Sequence, residues 1–340
     1  MTARARWLEG PPAEWDALVH EDPNATPVHR AEVMRVFADA LPGCRGAFVA
    51  VEEEGALIGG GPLVLERRFG LEWMRAMPYT LPGAPLARHG RHADVDRVVA
   101  EALETKARES GVIGGEWVLF RPAGPAVDAS AVERLPGETL VTTTEIVDLS
   151  AGAAAAYARI GRRERESIAS ARARGLACAE EPEALDETYA LYVAQARAWR
   201  GHRPKPLPLL RRLLAGDLPA ARLFTVRDSR GLLAGALALV GEREWLVWWS
   251  GSHPEARRKQ AFASLLWSVG ESAARAGAWR MNVGGDAGRG GIAAFKKSLG
   301  AAPLPVPIRW LGSDHASWWG RVVASVQRRM RAGRWRGAPA

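Results

Sequence analysis

The chain has 340 residues, more than a usual single domain, and its 47% of hydrophobic residues is enough for a large buried core. Charged residues at 25% complete a composition typical of a globular protein, and no stretch approaches the roughly 20 apolar residues that a membrane-spanning helix requires. The formal net charge of +8 favours anionic partners, namely phosphate-bearing cofactors, nucleic acid or anionic lipid. A GC-rich genome favours arginine codons over lysine codons, so the positive charge can also reflect the base composition of the genome.

The two cysteines, Cys44 and Cys178, lie far apart in the sequence and define neither a metal-binding motif nor a disulfide framework. The first residues carry charge without a following apolar stretch, so they do not predict a secretory signal. We therefore expect a cytoplasmic protein with no metal site.

The first half of the chain alternates helical and extended patterns. Apolar residues at spacings of three and four predict helices over residues 13–41. Two strands on either side of an acidic turn predict an antiparallel hairpin. The later segments of this half are strands at 46–51 and 56–65, an irregular proline-rich stretch at 73–87, a helix at 94–110, a strand at 116–120 and a connector at 122–138.

The second half shows the same order of elements. It begins with a strand over 142–149 and an arginine-rich helix over 153–173. Loops rich in glycine, serine and histidine precede its last two helices, where free backbone N–H groups and the positive end of the helix dipole suit an anionic ligand. Its later segments are a helix at 185–199, a basic loop at 201–208, a helix at 209–214, strands at 222–226, 232–240 and 245–249, a helix at 255–276, a strand at 279–283, a glycine-rich loop at 284–291, a helix at 292–299 and a strand at 305–310.

Two stretches of the second half carry the most specific signal. The first is the strand 144–149 with the arginine-rich helix that follows it. The second is 291–300, in which Phe295 and Lys296 are followed by Leu299 and Gly300. In this order and spacing they resemble the motifs of the Fem-type peptidoglycan aminoacyltransferases and of their CelD/BcsL-like acyltransferase relatives. The resemblance extends over nearly the whole chain up to Trp310.

The resemblance implies an α/β (α+β) fold with two tandem GNAT-type domains, each a mixed, mostly antiparallel sheet flanked by helices. We expect the domains at 1–140 and 141–312, followed by a basic tail at 313–340. Family members transfer an acyl or aminoacyl group to an amine, so the expected co-substrate is acyl-CoA or aminoacyl-tRNA, with no permanently bound cofactor. The passage 184–214 looks too short for the helical arm of typical Fem proteins, which puts a strict peptidoglycan assignment in doubt.

Two residues of the last segments are the predicted catalytic residues. In the matching motif the lysine lies near the donor carbonyl, so the resemblance implies that Lys296 stabilises the oxyanion that forms during acyl transfer. Asp286, in the glycine-rich loop, is predicted to accept the amine proton or to orient the acceptor. The alternatives are a lysine on the helix surface and an aspartate that caps the next turn.

The donor site is predicted at the end of a tryptophan-rich strand. Ser250, Gly251 and Ser252 occupy the place where GNAT domains hold the donor pyrophosphate, so the resemblance implies that they bind it. Arg257 and Arg258 follow in the first helical turns and are predicted to pair with phosphate. The stretch departs from the usual GNAT signature, in which small residues alternate with glycine.

Four residues are predicted to bind the second substrate. Arg162 and Arg165 lie three apart on the arginine-rich helix, where basic residues of the family meet phosphates of an acceptor or of tRNA. Trp249 is predicted to line an aromatic pocket, and Tyr79 lies in a loop similar to one that faces the acceptor cleft in relatives. Solvated arginines and a core tryptophan are the alternatives. The expected acceptor is an amine-bearing small molecule or a cell-envelope precursor.

The tail after Asp314 carries arginine but no acidic residue, and its apolar residues fall on one helical stripe. Such a tail makes peripheral contact with an anionic membrane, binds RNA or docks its stripe on the second domain. The leading hypothesis is therefore an N-acyltransferase of the cytoplasm or of the inner membrane face. A Fem-type tRNA-dependent peptidoglycan aminoacyltransferase and a non-catalytic RNA- or membrane-binding protein that retains the fold are the alternatives.

Overall fold

The computed structural model describes residues 2–68, 70–109, 112–124, 126–135, 137–197, 204–216, 220–285 and 290–312. The predicted tail and Asp286 lie outside the described residues. The chain forms two compact units, one of residues 2–142 and 305–312 and one of residues 143–304. No helix in the described ranges is long and apolar enough to cross a membrane.

The first unit consists of a sheet and the helices that cover it. Its elements are β1 (Arg4–Leu8), α1 (Trp15–Glu21), α2 (Ala31–Ala40), β2 (Cys44–Glu53), β3 (Ala56–Arg68), β4 (Leu71–Arg75), β5 (Leu86–Ala87), α3 (His92–Ala107), β6 (Val112–Val118) and α4 (Ala129–Arg134). Short 3-10 helices cover Pro27–His29 and Pro78–Thr80.

In the first unit the strand order is β1-β2-β3-β4-β6, and the end of β13 (Ala301–Gly312) pairs with β6. Neighbours are antiparallel except β4 and β6, which run parallel and are joined by a crossover that contains α3. Apolar residues of alternating strand positions and of one face of α3, such as Leu65, Met74 and Leu103, are buried between the sheet and the helix.

The second unit has the same plan. Its elements are β7 (Gly137–Asp148, from residue 143), α5 (Gly152–Arg159), α6 (Arg162–Ala173), β8 (Ala177–Glu180), α7 (Leu185–Arg197), α8 (Leu207–Leu214), β9 (Ala221–Asp228), β10 (Gly231–Val240), β11 (Glu244–Ser252), α9 (Pro254–Arg258), α10 (Ala261–Arg275), β12 (Arg280–Asn282), α11 (Gly290–Ser298) and the start of β13. A short 3-10 helix covers Pro182–Ala184.

In the second unit the strand order is β8-β9-β10-β11-β12-β7. Again one pair, β11 and β12, is parallel and is joined by a helical crossover through α9 and α10, whereas the other neighbours are antiparallel. Leu265, Val269 and Ala273 recur on one face of α10 and are fully buried against the sheet. Both units therefore contain a mixed, mostly antiparallel sheet flanked by helices, which confirms the predicted fold class.

Several predicted elements are wrong in detail, among them the connector 122–138, which contains α4 and the start of β7. The predicted helix 153–173 is interrupted where Ile160 is extended and buried, because Gly161 N donates to Ser298 O at 2.8 Å. The predicted helix 255–276 is interrupted at Gln260, which has a φ of 57°. The stretch 73–87 is not irregular throughout, since Trp73 to Arg75 belong to β4 and pair with β3.

Candidate functional site

The two parallel strands of the second unit diverge after three residue pairs. Glu244 lies opposite Arg280 and Leu246 opposite Asn282, and β12 ends there. β11 continues to Ser252 and pairs there only with β10 among the described strands. Among the described strands none pairs with β11 beyond Leu246 on the side of β12, and an extended ligand can hydrogen-bond to such an edge.

A β-bulge occurs at the same place. Leu237 of β10 lies opposite Trp249, whereas Ala238 lies opposite Val247, so Trp248 is an extra residue on β11. A bulge bends its strand and increases the local twist. The bulge therefore accounts for the departure of β11 from β12 just after Leu246.

Lys296 of α11 closes the loop that follows β12. Its ammonium donates to the carbonyl oxygens of Gly284 at 2.8 Å and of Gly285 at 2.7 Å, and the residue is only 8% exposed. The alternative of a lysine on the helix surface is therefore wrong. Both glycines are required, because Gly284 has a φ of 72° and a Cβ on Gly285 would come within 2.6 Å of the carbonyl oxygen of Thr143.

A buried polar network lies beside this loop. Asn282 Oδ1 accepts from Thr144 Oγ1 at 2.6 Å and from Gly284 N at 2.9 Å, and Asn282 Nδ2 donates to Glu244 Oε1 at 3.3 Å. Arg280 Nε donates to Glu244 Oε2 at 2.7 Å. Burial raises the pKa of Glu244, and the charge and hydrogen bond of Arg280 only partly oppose that shift. The network fixes the start of the loop and hence the position of the bonds from Lys296.

Sequence reasoning missed this network. Arg280 and Asn282 alternate with apolar residues of a short strand, and Glu244 follows the charged residues Glu242 and Arg243. The available signal was a charged residue of opposite sign at the start of each strand, but only the register shows that the two meet.

The two predicted arginines of α6 differ in their surroundings. Arg162 is exposed and bonds Glu166 at 2.8 Å, as expected of a solvated helix pair. Arg165 donates to the carbonyl oxygens of Ile160 and Ala158, at the end of α5, so it caps that helix. The hydrogen bond between Gly161 and Ser298 places the start of α6 beside the end of α11.

The predicted donor-binding residues of β11 lie at its free end. Ser250 and Ser252 pair with β10, and both are partly exposed. Gly251 is buried, and a Cβ there would come within 2.5 Å of Tyr192 N. Its lack of a side chain therefore allows α7 to pack on the strand.

The helices after β11 begin close to this strand. Arg257 and Arg258 of α9 are exposed, and Arg258 forms an ion pair with Glu255. The first turn of α10 carries the small buried residues Ala261 and Ala263, which leave room for a ligand at its N–H groups. In this turn the small residues Ala261 and Ala263 lie on either side of Phe262, so alanine stands where the usual GNAT signature has glycine.

Trp249 lies in an aromatic cluster between β11 and α7. Its ring centroid is 4.9 Å from that of Tyr192 and 6.5 Å from that of Tyr189, and the residue is 5% exposed. Its buried indole Nε1 has no hydrogen-bond partner in the described part of the chain. A buried donor without a partner is a candidate contact for a ligand oxygen.

Tyr79 belongs to the first unit. It and Thr80 adopt positive φ angles of 63° and 59°, which residues with a Cβ rarely adopt. The Tyr79 ring is in edge contact with Phe37, and the residue is 38% exposed. The backbone thus holds an aromatic side chain at the surface of this unit.

Comparison with known proteins agrees with this geometry. The sequence pattern of the acetyltransferase (GNAT) domain family matches residues 155–297, which lie within the second unit. The match includes β11, β12 and Lys296. A search of curated protein sequences finds no match.

Solved structures share the fold across most of the chain. FemX has a TM-score of 0.69 at 13% identity, covering 89% of this chain and 96% of that chain. A conserved protein of unknown function from Bacteroides thetaiotaomicron has a TM-score of 0.59 at 11% identity, and the match covers 90% of this chain and 99% of that chain. The C-terminal domain of a protein named a lysylphosphatidylglycerol synthetase, from Agrobacterium fabrum, has a TM-score of 0.56 at 14% identity. The match covers 92% of this chain and 94% of that chain. Residues 155–297 of the second unit therefore belong to the acetyltransferase (GNAT) domain family.

Proposed function

We propose that the protein transfers an acyl group from an acyl-CoA to an amine acceptor, with the donor bound to the second unit. The observation that carries the proposal is the divergence of β11 from β12 beside the loop that Lys296 holds. The peptide groups of β11 beyond Leu246 hydrogen-bond the amides of an extended donor. The donor phosphates lie at the first turn of α10 and pair with Arg257 and Arg258.

The proposed chemistry is attack of the amine nitrogen on the thioester carbonyl. The C–N bond forms, the C–S bond breaks, and the thiolate leaves with the electron pair. The ammonium of Lys296, fixed by two carbonyl oxygens, stabilises the developing charge on the carbonyl oxygen. Asp286 or a water molecule accepts the amine proton.

The proposed acceptor contacts of the second unit are Trp249 and Arg162, and the role of Tyr79 in the first unit stays a prediction from the resemblance. The unpartnered indole N–H of Trp249 suits an acceptor oxygen on the α7 face of β11. Arg162 is an exposed cation of the helix start that lies beside α11, whereas the guanidinium of Arg165 already binds backbone oxygens. Of these two arginines, Arg162 is therefore the one proposed to bind an anionic group of the acceptor.

The test is thiol release from acetyl-CoA and longer acyl-CoAs with a panel of amines. Lys296→Met keeps much of the apolar stem and should lower kcat/KM by about 100-fold or more, because a fixed charge at the oxyanion is lost. Lys297→Met is the matched control, since Lys297 is exposed on the same helix. Thermal unfolding of both variants shows whether the fold survives. Equal activity of a folded Lys296→Met and wild type would contradict the proposal.

Aminoacyl-tRNA is a second candidate donor. The observation that favours it is the likeness to FemX and to a domain named for lysylphosphatidylglycerol synthesis, together with exposed arginines on α6. Binding of charged tRNA should then weaken steeply with salt, by about one power of ten or more between 50 and 200 mM. Transfer from charged tRNA with no thiol release from any acyl-CoA would replace the first candidate by the second.

A further inference from the structure

Lys205 is one of only five lysines in the chain, and it lies over the strand that carries the bulge. Its backbone is tied to α7 at two points. Tyr189 Oη donates to Lys205 O at 2.9 Å, and Lys205 N donates to Tyr192 Oη at 3.4 Å. The position of this lysine is therefore set by hydrogen bonds to a helix.

The side chain of Lys205 lies among aromatic rings. Its Nζ is 4.8 Å from the ring centroid of Trp248 and 5.8 Å from that of Tyr192. Tyr189 and Trp249 extend the cluster, with centroids 6.0 Å and 4.9 Å from that of Tyr192. The residue as a whole remains partly exposed.

This environment changes the protonation of the amine. Burial lowers the pKa of Lys205 to about 8, because a buried ammonium is solvated less well than one in water. At pH 8 about half of the Lys205 side chains are therefore neutral, against less than about 1% for a solvated lysine. A neutral amine is the nucleophile in acylation.

Three of the other four lysines are held as cations. Lys106 is ion-paired with Glu109, and Lys259 with Asp228. Lys296 donates to two carbonyl oxygens. The fourth, Lys297, is exposed and serves as a reference for an ordinary lysine.

We propose that Lys205 is a nucleophilic lysine that accepts an acyl group from a thioester, so that the protein acylates itself at this position. The inference rests on the proposed function in one respect, namely that the donor lies along β11. Trp248, the ring nearest to Lys205 Nζ, is the bulged residue where β11 leaves β12. The acceptor amine is thus placed beside the strand that presents the thioester.

The step balances without a further reagent. The lone pair of Nζ attacks the thioester carbonyl, the C–N bond forms and the C–S bond breaks. The thiolate leaves, and the proton lost from Nζ passes to solvent or to the thiolate. The product is a neutral amide, whose acyl group can pack on the rings of Trp248 and Tyr192 without the cost of burying a charge.

The test is acetylation of the intact protein by S-acetyl-N-acetylcysteamine and, in parallel, by acetyl-CoA, with each lysine quantified by peptide mass spectrometry. Lys205 should be labelled at least 10-fold faster than Lys297 with both donors. Its rate should level off above about pH 8. Labelling of Lys205 no faster than Lys297, or a rate that still rises through pH 10, would overturn the proposal.

Two variants complete the test. Lys205→Arg should abolish the fast label and leave the slow labels unchanged. Trp248→Leu opens the site to water, so it should lower the rate at Lys205 at pH 8 and shift its pH midpoint upward. An unchanged rate and midpoint in a folded Trp248→Leu variant would show that the aromatic environment does not activate the lysine, and would overturn the proposal.

The two donors separate this inference from the proposed function. The small thioester needs no CoA site, so fast labelling of Lys205 by it supports the nucleophile even if no amine acceptor is turned over. Such a result together with no turnover would count against the proposed function alone. Turnover of amine acceptors without labelling of Lys205 would count against this inference alone.

Discussion

The two units use the same strand-crossover-strand arrangement but fill the space after its first strand differently. In the second unit β11 ends at Ser252 and α9 begins at Pro254. In the first unit β4 ends at Arg75, and the crossover helix α3 begins only at His92. The long connection of the first unit is largely buried, whereas the short one of the second unit leaves the strand end and helix start open.

Buried polar side chains hold the connection of the first unit in place. Thr26 Oγ1 donates to Pro82 O at 2.9 Å, and Arg121 donates to Pro85 O at 2.8 Å. His29 Nε2 bonds Ala84 O at 2.8 Å. The first unit therefore satisfies these backbone oxygens with its own side chains, while the second leaves backbone groups of β11 for a ligand. The contrast favours a donor site in the second unit.

The largest effect should come from breaking the polar support of the first unit. Arg121 and Asp96 form a doubly bonded ion pair in which both side chains are 1% exposed. Arg121→Met leaves the Asp96 carboxylate buried without its partner and should cost about 3–5 kcal/mol of unfolding free energy. Arg134→Met, which removes an exposed pair with Glu101, should cost less than about 1 kcal/mol.

Denaturant unfolding measures both variants, and acetyl-CoA binding below the unfolding transition tests the comparison. If the donor site belongs to the second unit, a folded Arg121→Met variant should bind acetyl-CoA as wild type does. Loss of binding in the folded variant would contradict the assignment of the site to the second unit.

The next effect concerns the loop that Lys296 holds. Gly285→Ala brings a methyl group within 2.6 Å of the Thr143 carbonyl oxygen, so the loop must shift and the bonds from Lys296 must change. We expect kcat/KM to fall by about 100-fold, since misplacement by an ångström is enough for such a loss. Gly291→Ala is the matched control, because a Cβ there meets nothing within 4 Å. Thiol release and thermal unfolding are the measurements, and equal activities of the two variants would exclude a positioned loop.

A smaller effect is a dependence of stability on pH in the first unit. Burial lowers the pKa of His29 to about 4, although its hydrogen bonds to Ala84 and Thr26 oppose the shift. The unfolded chain therefore binds this proton as pH falls below about 6.5, and the native state does so only near 4, so stability falls between these values. From pH 7 to pH 5 the loss should be about 2 kcal/mol.

The readout is the difference in pH dependence between wild type and His29→Gln, with exposed His89→Gln as control. Measurements above about pH 5 avoid the contribution of Asp22. Burial opposes ionisation of Asp22, but hydrogen bonds from His92 and from the backbone of Ala87 and Asn24 outweigh it and lower its pKa to about 2. Identical pH slopes of wild type and His29→Gln would show that this histidine is not buried in its neutral form.

The smallest effect separates the arginines of α6. Arg165→Ala removes a cap from two carbonyl oxygens of α5 and should destabilise the protein by about 1 kcal/mol. Arg162→Ala should change stability by less than about 0.5 kcal/mol, since its pair with Glu166 is exposed. If Arg162 binds an anionic substrate, its variant should instead raise KM. A stability loss in Arg162→Ala together with a raised KM in Arg165→Ala would contradict these two roles.

The sequence allowed the fold and the helix that carries Lys296 to be predicted, because both depend on local patterns. Apolar periodicity located most strands and helices, and the motif around Phe295 and Lys296 identified the family. The break at Ile160 could not be predicted, since it depends on a bond from Gly161 to Ser298, far along the chain. The setting of Lys205 was missed for the same reason, because the rings of Trp248 and Tyr192 meet it only after folding.

The bond between Thr144 and Asn282 also bears on the order of folding. It joins residues 138 apart in the sequence, whereas the β9–β10 and β10–β11 hairpins form between near neighbours. Closing so long a loop costs chain entropy that local hairpins do not lose. The hairpins should therefore fold first, and the loop that Lys296 holds should form late. During synthesis, a nascent chain that ends before residue 282 would already contain the bulged strand but would lack both β12 and the loop that Lys296 holds.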